Sequence, residues 1–226
     1  ASAAGLAWIG GVRPLTSEGG DVLATDKGER RRVALAPGAT LELNTASRIR
    51  LLDGAGGRAV ELLRGEAVLT VAASALTLVA RLADASIAAR TAQVLLRRDG
   101  DAASVLCLSG EAHVDHGSEA FTLGARDKLL LDAAAQTARL ARAPASEPAA
   151  TWRTGQLVYE DRRLGDVVEE LNRYRPGRIV IRGENLADRR VTGVVQLDRI
   201  DGALTNFARS LNAPMTRLPG GVVILG

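Results

Sequence analysis

The sequence predicts a mainly β N-terminal domain, solenoid-like or sandwich-like, followed by a small α+β domain with two strand–helix–strand units. Three observations carry this. Residues 28–143 show short apolar/polar alternations separated by turn residues, the pattern of half-buried strands. Residues 144–151 interrupt that rhythm with Pro144 and Pro148 among small residues, which marks a linker. Residues 152–226 then change texture and carry two apolar stripes at helical spacing.

The elements follow in order. Residues 1–12 are small and apolar and stop at Arg13-Pro14, too short for the about 20 apolar residues that span a bilayer. They read either as the trailing end of a transmembrane segment or as a packed or disordered tail. Val33 and Leu35, Leu41 and Leu43, and Ile49 and Leu51 then alternate with polar or small neighbours and place one face inward. Turns are expected at Pro37-Gly38, Asp53-Gly54 with Gly56-Gly57, Arg64-Gly65, Asp99-Gly100, Ser109-Gly110, His116-Gly117 and Gly124. Leu63-Arg64-Gly65-Glu66-Ala67 recurs as Leu108-Ser109-Gly110-Glu111-Ala112, which suggests two stacked strand–turn–strand units.

After the linker, Gln156–Glu160 reads as a strand with Leu157 and Tyr159 on one face. Leu164, Val167, Val168 and Leu171 fall at i, i+3, i+4 and i+7 and predict a helix ending before Pro176-Gly177. Arg178–Arg182 and Val191–Leu197 read as strands. Ile200, Leu204, Phe207 and Leu211 predict a second helix, with Asp198 or Asp201 as its cap and Pro214 as its stop. Met215–Leu218 and Val222–Leu225 flank Pro219-Gly220-Gly221 as a closing hairpin.

The 226 residues are 46% hydrophobic and 24% charged, an ordinary globular composition. Aromatics reach only 3%, so stacking platforms for single-stranded nucleic acid are scarce. A formal charge of +3, from 29 basic and 26 acidic residues, is too small for a dedicated polyanion surface. One Cys and two His argue against a disulfide framework and most metal clusters. His113, Asp115 and His116 are the one group with ligand-like spacing, and a polar strand end explains them without a metal. Cys107, in an apolar run, reads as a small buried hydrophobe without a neighbouring base. Glu169-Glu170 read as a solvated helix face, and Arg162-Arg163 and Arg189-Arg190 as loop charges. No catalytic site, metal site or cofactor is predicted. A binding or scaffolding protein fits best.

Several blocks in order resemble one family. Lys27-Gly28-Glu29-Arg30-Arg31, then Val33–Leu43 and Leu43-Asn44-Thr45-Ala46-Ser47, resemble the opening of FecR-like domains. Arg58-Ala59-Val60-Glu61-Leu62-Leu63-Arg64-Gly65-Glu66-Ala67 is similar to the next family block, R-x-V-x-L-x-x-G-E-A, and the second Gly-Glu-Ala also matches. Trp152-Arg153-Thr154-Gly155-Gln156-Leu157 resembles the junction that follows. Leu164 through Leu171-Asn172-Arg173-Tyr174 resembles the secretin and TonB short N-terminal (STN) domain. Departures are Pro37 and Ala39 in the first turn and the missing Phe in Leu76–Val79. Arg90 stands before Thr91 where the family has the Gly-Thr bond at which some members self-cleave.

The resemblance implies a domain plan: juxtamembrane remnant 1–27, FecR-like β domain 28–143, linker 144–151 and STN-like domain 152–226. It implies the periplasmic segment of an inner-membrane anti-sigma regulator. Its partners would be the signalling domain of an outer-membrane TonB-dependent transducer, often for siderophores, and an extracytoplasmic-function sigma factor held by a cytosolic segment outside this chain. Nucleic acid is not an expected partner, and the membrane is met only through a helix outside this chain. A structural or cell-wall-associated envelope module is the alternative. Partner contact is expected at two apolar strands taken as sheet edges, Val191-Thr192-Gly193-Val194-Val195 and Val222-Val223-Ile224-Leu225; the alternative is that both strands are simply core.

Overall fold

The computed structural model describes residues 8–13, 21–54, 57–72, 77–143 and 149–226. Residues 1–7 and 14–20 of the expected juxtamembrane remnant, Gly56, Leu76 and linker residues 144–148 lie outside the described residues. The chain divides into two compact units, one centred on Arg30–Ala145 and one on Ser146–Gly226.

The first unit is all β among its described residues. Its strands are β1 (Trp8–Arg13), β2 (Val22–Ala24), β3 (Arg30–Ala36), β4 (Ala39–Leu43), β5 (Arg48–Gly54) and β6 (Gly57–Val71). They continue as β7 (Leu78–Leu82), β8 (Ala85–Asp99), β9 (Ala102–His116), β10 (Glu119–Gly124), β11 (Asp127–Asp132) and β12 (Thr137–Arg142). The expected alternations hold: Val33, Leu35, Leu41, Leu43, Ile49 and Leu51 are all buried. The sheet begins before residue 28, however. β1 pairs in parallel with β3, and β2 pairs antiparallel with β5. Apolar Leu23, buried between exposed neighbours, shows the two-residue period on a strand only three residues long.

Three strands, β6, β8 and β9, run for 15 residues each and organise the unit. Each changes neighbours partway. β6 pairs with β5 and β7 before Gly65, and with β4 and β8 after it. β8 pairs with β7 through Ala89 and with β6 from Ala92. β9 carries β11 on its first half and β10 on its second. The sheet therefore folds over on itself, and one hydrophobic cluster collects inward side chains from both halves, including Leu41, Leu69, Leu96, Val105, Ile87, Val114 and Leu123. This is the sandwich-like form of the expected architecture.

The switch points correct the expected turns at Arg64-Gly65 and Ser109-Gly110. Both glycines lie inside continuous strands, at positive φ of 91° and 74°. Register shifts adjoin both: Arg48/Ile49 opposite Arg64 and Leu62, just before Gly65, and Arg90/Gln93 opposite Gly110. They are β-bulges, which bend a strand and increase its twist. The Gly-Glu-Ala repeat thus marks two corners of one folded sheet. Thr91, facing Gly110, is itself left-handed at φ 53°. A β-branched residue there is strained, and its side chain is exposed. Thr91→Gly is expected to stabilise the protein by about 1 kcal/mol, strain relief exceeding the added chain entropy. A higher urea midpoint at unchanged slope is the check.

The second unit opens with a 3-10 turn at Thr151–Thr154 that buries Trp152. It continues as β13 (Gln156–Arg163), α1 (Leu164–Tyr174), β14 (Ile179–Ile181), α2 (Glu184–Ala187), β15 (Arg190–Gln196), α3 (Ile200–Ser210), β16 (Met215–Leu218) and β17 (Val222–Leu225). α1 buries Leu164, Val167, Val168, Leu171 and Tyr174, and α3 buries Ile200, Leu204, Phe207 and Ala208. Each large apolar side chain so buried contributes roughly 1.5–3 kcal/mol. Neither Asp198 nor Asp201 caps α3: Arg199 holds the cap position, and Asp201 Oδ1 instead pairs with Arg175 Nε at 2.8 Å. β13 pairs antiparallel with β15. β17 lies between β14, parallel to it, and β16, antiparallel to it.

Candidate strand-docking site

The two strands expected to offer open edges behave differently. β17 has a neighbour on each side, so Val222, Val223, Ile224 and Leu225 cannot receive another strand. Val223 and Leu225 are core residues. The structure removes this half of the expected site. β15 pairs only with β13 and keeps one side open among the described residues.

The register fixes what β15 presents on that side. Leu197 N–H donates to the Gly155 carbonyl at 2.9 Å. Backbone groups alternate along an antiparallel ladder, so Val195 and Gly193 also point to β13. Thr192, Val194 and Gln196 therefore direct N–H and C=O outward. Their side chains are exposed too, and Val194 is 55% exposed. Val191 and Val195 face inward and are buried. Gly193 sits opposite Tyr159, and a Cβ there would lie 3.9 Å from Phe207 Cε1. The Phe207 ring thus lies beside the missing side chain. Tyr159 is buried, and that burial, with Glu170 beside it, holds its phenol above the ordinary range. Glu170 is accordingly half-buried, not fully solvated as expected, while Glu169 is exposed.

The other edges of this unit are less available. On β14, Asn172 from α1 accepts from the Ile179 N–H at 2.7 Å and donates to its carbonyl at 2.9 Å. One amide side chain imitates a neighbouring strand and closes that edge. On β13, Asp161 is a bulge at φ 48°, and its N–H donates to Thr192 Oγ1 at 3.0 Å. β16 spans only four residues. The arginine pairs fasten strand ends to loops. Arg163 Nε donates to Asp188 at 3.1 Å, Arg189 Nη1 to the Leu211 carbonyl at 2.8 Å, and Arg190 Nη1 to the Asp161 carbonyl at 2.6 Å.

The remaining candidate residues stay apart. On β9, His113 and Asp115 occupy the exposed face and His116 the buried one. His113 Nδ1 lies 3.2 Å from Thr122 Oγ1, and His116 Nε2 lies 3.0 Å from Asp84 Oδ2. No group of three potential ligands assembles among the described residues. Cys107 is buried, and that burial pushes its thiol pKa up. Arg90 and Thr91 are exposed on β8 at the bulge, with Arg90 opposite Glu111.

Sequence reading did not anticipate a buried polar knot in the first unit. Thr25, Asn44, Thr45, Ser47 and Glu66 are each at most 6% exposed. Ser47 Oγ accepts the Glu66 N–H at 2.9 Å and shares its hydrogen between the carbonyls of Glu66, at 3.0 Å, and Thr45, at 3.1 Å. Thr25 Oγ1 donates to the Asn44 carbonyl at 2.6 Å and accepts the Ser47 N–H at 2.9 Å. The Asn44 side chain accepts the Thr45 N–H at 2.8 Å. The signal was present as Leu-Asn-x-x-Ser followed by Gly-Glu-Ala, because hydroxyls and amides in an apolar stretch need internal partners.

The architecture is a β sheet folded at glycine bulges, followed by an α+β unit with two small sheets. Residues 21–113 match the family model described as FecR protein. In fold it is similar to two crystal structures of a protein from Parabacteroides distasonis ATCC 8503 that is described as an anti-sigma factor. The structure at 1.65 Å aligns with a TM-score of 0.72 at 18% identity, covering 91% of this chain and 98% of that one. The structure at 2.50 Å gives 0.71 at 17% identity, with the same coverages. No curated protein sequence matches the chain. Among the described residues no helix is long and apolar enough to cross a membrane.

Proposed function

We propose that this chain is the periplasmic signal-receiving segment of a FecR-like anti-sigma regulator anchored in the inner membrane. It recognises the N-terminal signalling domain of an outer-membrane TonB-dependent transducer, in signalling of the iron or siderophore type. A segment outside this chain holds the extracytoplasmic-function sigma factor. The FecR match and the likeness to the Parabacteroides protein support the regulatory role. The STN-like order of residues 152–226 supports the receiving role. The observation that carries the mechanism is the open edge of β15, with Val194 exposed and its backbone directed outward. Added there, a partner strand gains affinity from main-chain hydrogen bonds and specificity from alternate side chains.

Titration calorimetry of the whole chain against the cognate transducer's signalling domain tests this, with one saturable binding event expected. Val194→Pro removes an outward donor and leaves the β13 ladder intact, since proline is tolerated where its N–H side faces solvent. It is expected to weaken binding about tenfold or more, the loss of a main-chain hydrogen bond plus steric obstruction. Its melting temperature should stay near that of the parent. Absence of heat and of co-elution with the parent chain overturns the reading. Retention by peptidoglycan with no transducer binding favours the envelope-module alternative.

A further inference from the structure

Four large hydrophobic side chains stand exposed among the described residues: Val22, Leu140, Val194 and Leu218. All four lie on strands that, among the described residues, are paired on one side only, respectively β2, β12, β15 and β16. An exposed apolar edge strand is a template for another strand. β2 and β16 span three and four residues, whereas β12 spans six, close to the seven of β15. β12 belongs to the other unit and plays no part in the function proposed above.

Its register resolves what it offers. Ala143 N–H donates to the Arg126 carbonyl at 2.8 Å, continuing the β11–β12 ladder by one pair. By alternation, Arg139 and Ala141 point their backbone groups at β11, and Ala138, Leu140 and Arg142 point theirs outward. Leu140 stands opposite Leu129, which is fully buried, yet is itself 51% exposed. Ala138 packs partly against the same core. The apolar row that crosses the sheet thus ends uncovered at Leu140. The strand is Thr-Ala-Arg-Leu-Ala-Arg and carries no acidic residue. Asp127 holds Arg142 at 2.8 Å, while Arg139 is exposed with no ion pair among the described residues.

We infer that the outer edge of β12 accepts an extended segment of a protein partner, with an apolar side chain against Leu140 and a carboxylate beside Arg139. The charge pattern argues against a second copy of this chain. Two β12 strands side by side would bring four arginines along one ladder, and like charges across strands are destabilising. An acidic, alternating strand meets the edge with opposite charge and extends the apolar row by one side chain.

The test uses the whole isotope-labelled chain and a capped peptide, Thr-Glu-Val-Glu-Val-Thr, at low ionic strength. Saturable amide shifts confined to β12 are expected, with about tenfold slower hydrogen exchange at Leu140 and Arg142. The counterpart peptide with Lys for Glu should not bind. Leu140→Pro, which spares the β11 ladder, should abolish the effect at an unchanged melting temperature. Arg139→Glu should reverse the preference toward the Lys peptide, so the inference is tested even if the proline variant loses stability. Three outcomes overturn it: β12 amides unmoved by the acidic peptide, equal binding by both peptides, or concentration-dependent self-association that Leu140→Pro removes. None depends on the transducer, so this inference and the function proposed for β15 stand or fall separately.

Discussion

Gly110→Ala is expected to cost about 3 kcal/mol or more, a large share of the stability of an ordinary domain. Two effects add. Gly110 sits at φ 74°, where an L side chain is strained. A Cβ built there would also lie 2.1 Å from the Thr91 carbonyl oxygen and 2.9 Å from Ala92 Cα. Both are backbone atoms of the paired strand, so no rotamer change relieves the clash. β8 and β9 must separate where they cross from one half of the folded sheet to the other.

Gly100→Ala provides the control. Gly100 occupies the β8–β9 hairpin at φ 59°, but nothing lies within 4 Å of its would-be Cβ. It carries the conformational cost alone, about 1 kcal/mol. Urea unfolding of the two variants separates strain from collision. A Gly110→Ala midpoint equal to that of Gly100→Ala would show that the bulge accommodates a side chain and that the corner is not as tight as described.

Much of the fold was legible because periodicity reports local burial. Alternation located β3, β4, β5 and β13, and the i, i+3, i+4, i+7 stripes located α1 and α3. The glycines at 65 and 110 were misread for a specific reason. A tight glycine turn and a glycine bulge both use positive φ, and a local window cannot tell whether the chain reverses afterwards. Only the pairing partners reveal that β6 and β9 run on. The edge assignment failed more instructively. Val222-Val223-Ile224-Leu225 is apolar throughout, the pattern of a strand covered on both faces and flanked by neighbours. Val191-Thr192-Gly193-Val194-Val195 interleaves polar and small residues, as a half-exposed strand does. That contrast was in the sequence and favoured β15 over β17. The Asn172 clamp on Ile179 was not legible, since it depends on where the end of α1 meets β14 in space.

The polar knot supplies the second large effect. Ser47→Ala is expected to destabilise the chain by about 2–3 kcal/mol. The reasoning begins with exposure: Ser47 is 1% exposed, so water does not replace the lost hydroxyl. Its Oγ is the acceptor for the Glu66 N–H and a donor toward the Glu66 and Thr45 carbonyls. Removing the oxygen strands a buried amide, and that desolvation penalty exceeds the worth of the hydrogen bond itself. Alanine also leaves space beside Gly65, whose would-be Cβ lies 2.4 Å from Ser47 Oγ. The hydroxyl and the glycine hydrogen therefore occupy one small volume between β5 and β6. This geometry makes a double-mutant cycle decisive. Gly65→Ala alone clashes with Ser47, while Gly65→Ala with Ser47→Gly removes the oxygen and Cβ it meets and leaves the 2.6 Å approach to Ser47 Cα. The double variant should be less destabilised than the sum of the single changes by about 1 kcal/mol or more, as expected of residues in direct contact. Strict additivity would mean that the two positions act independently and that the knot does not set the corner at Gly65.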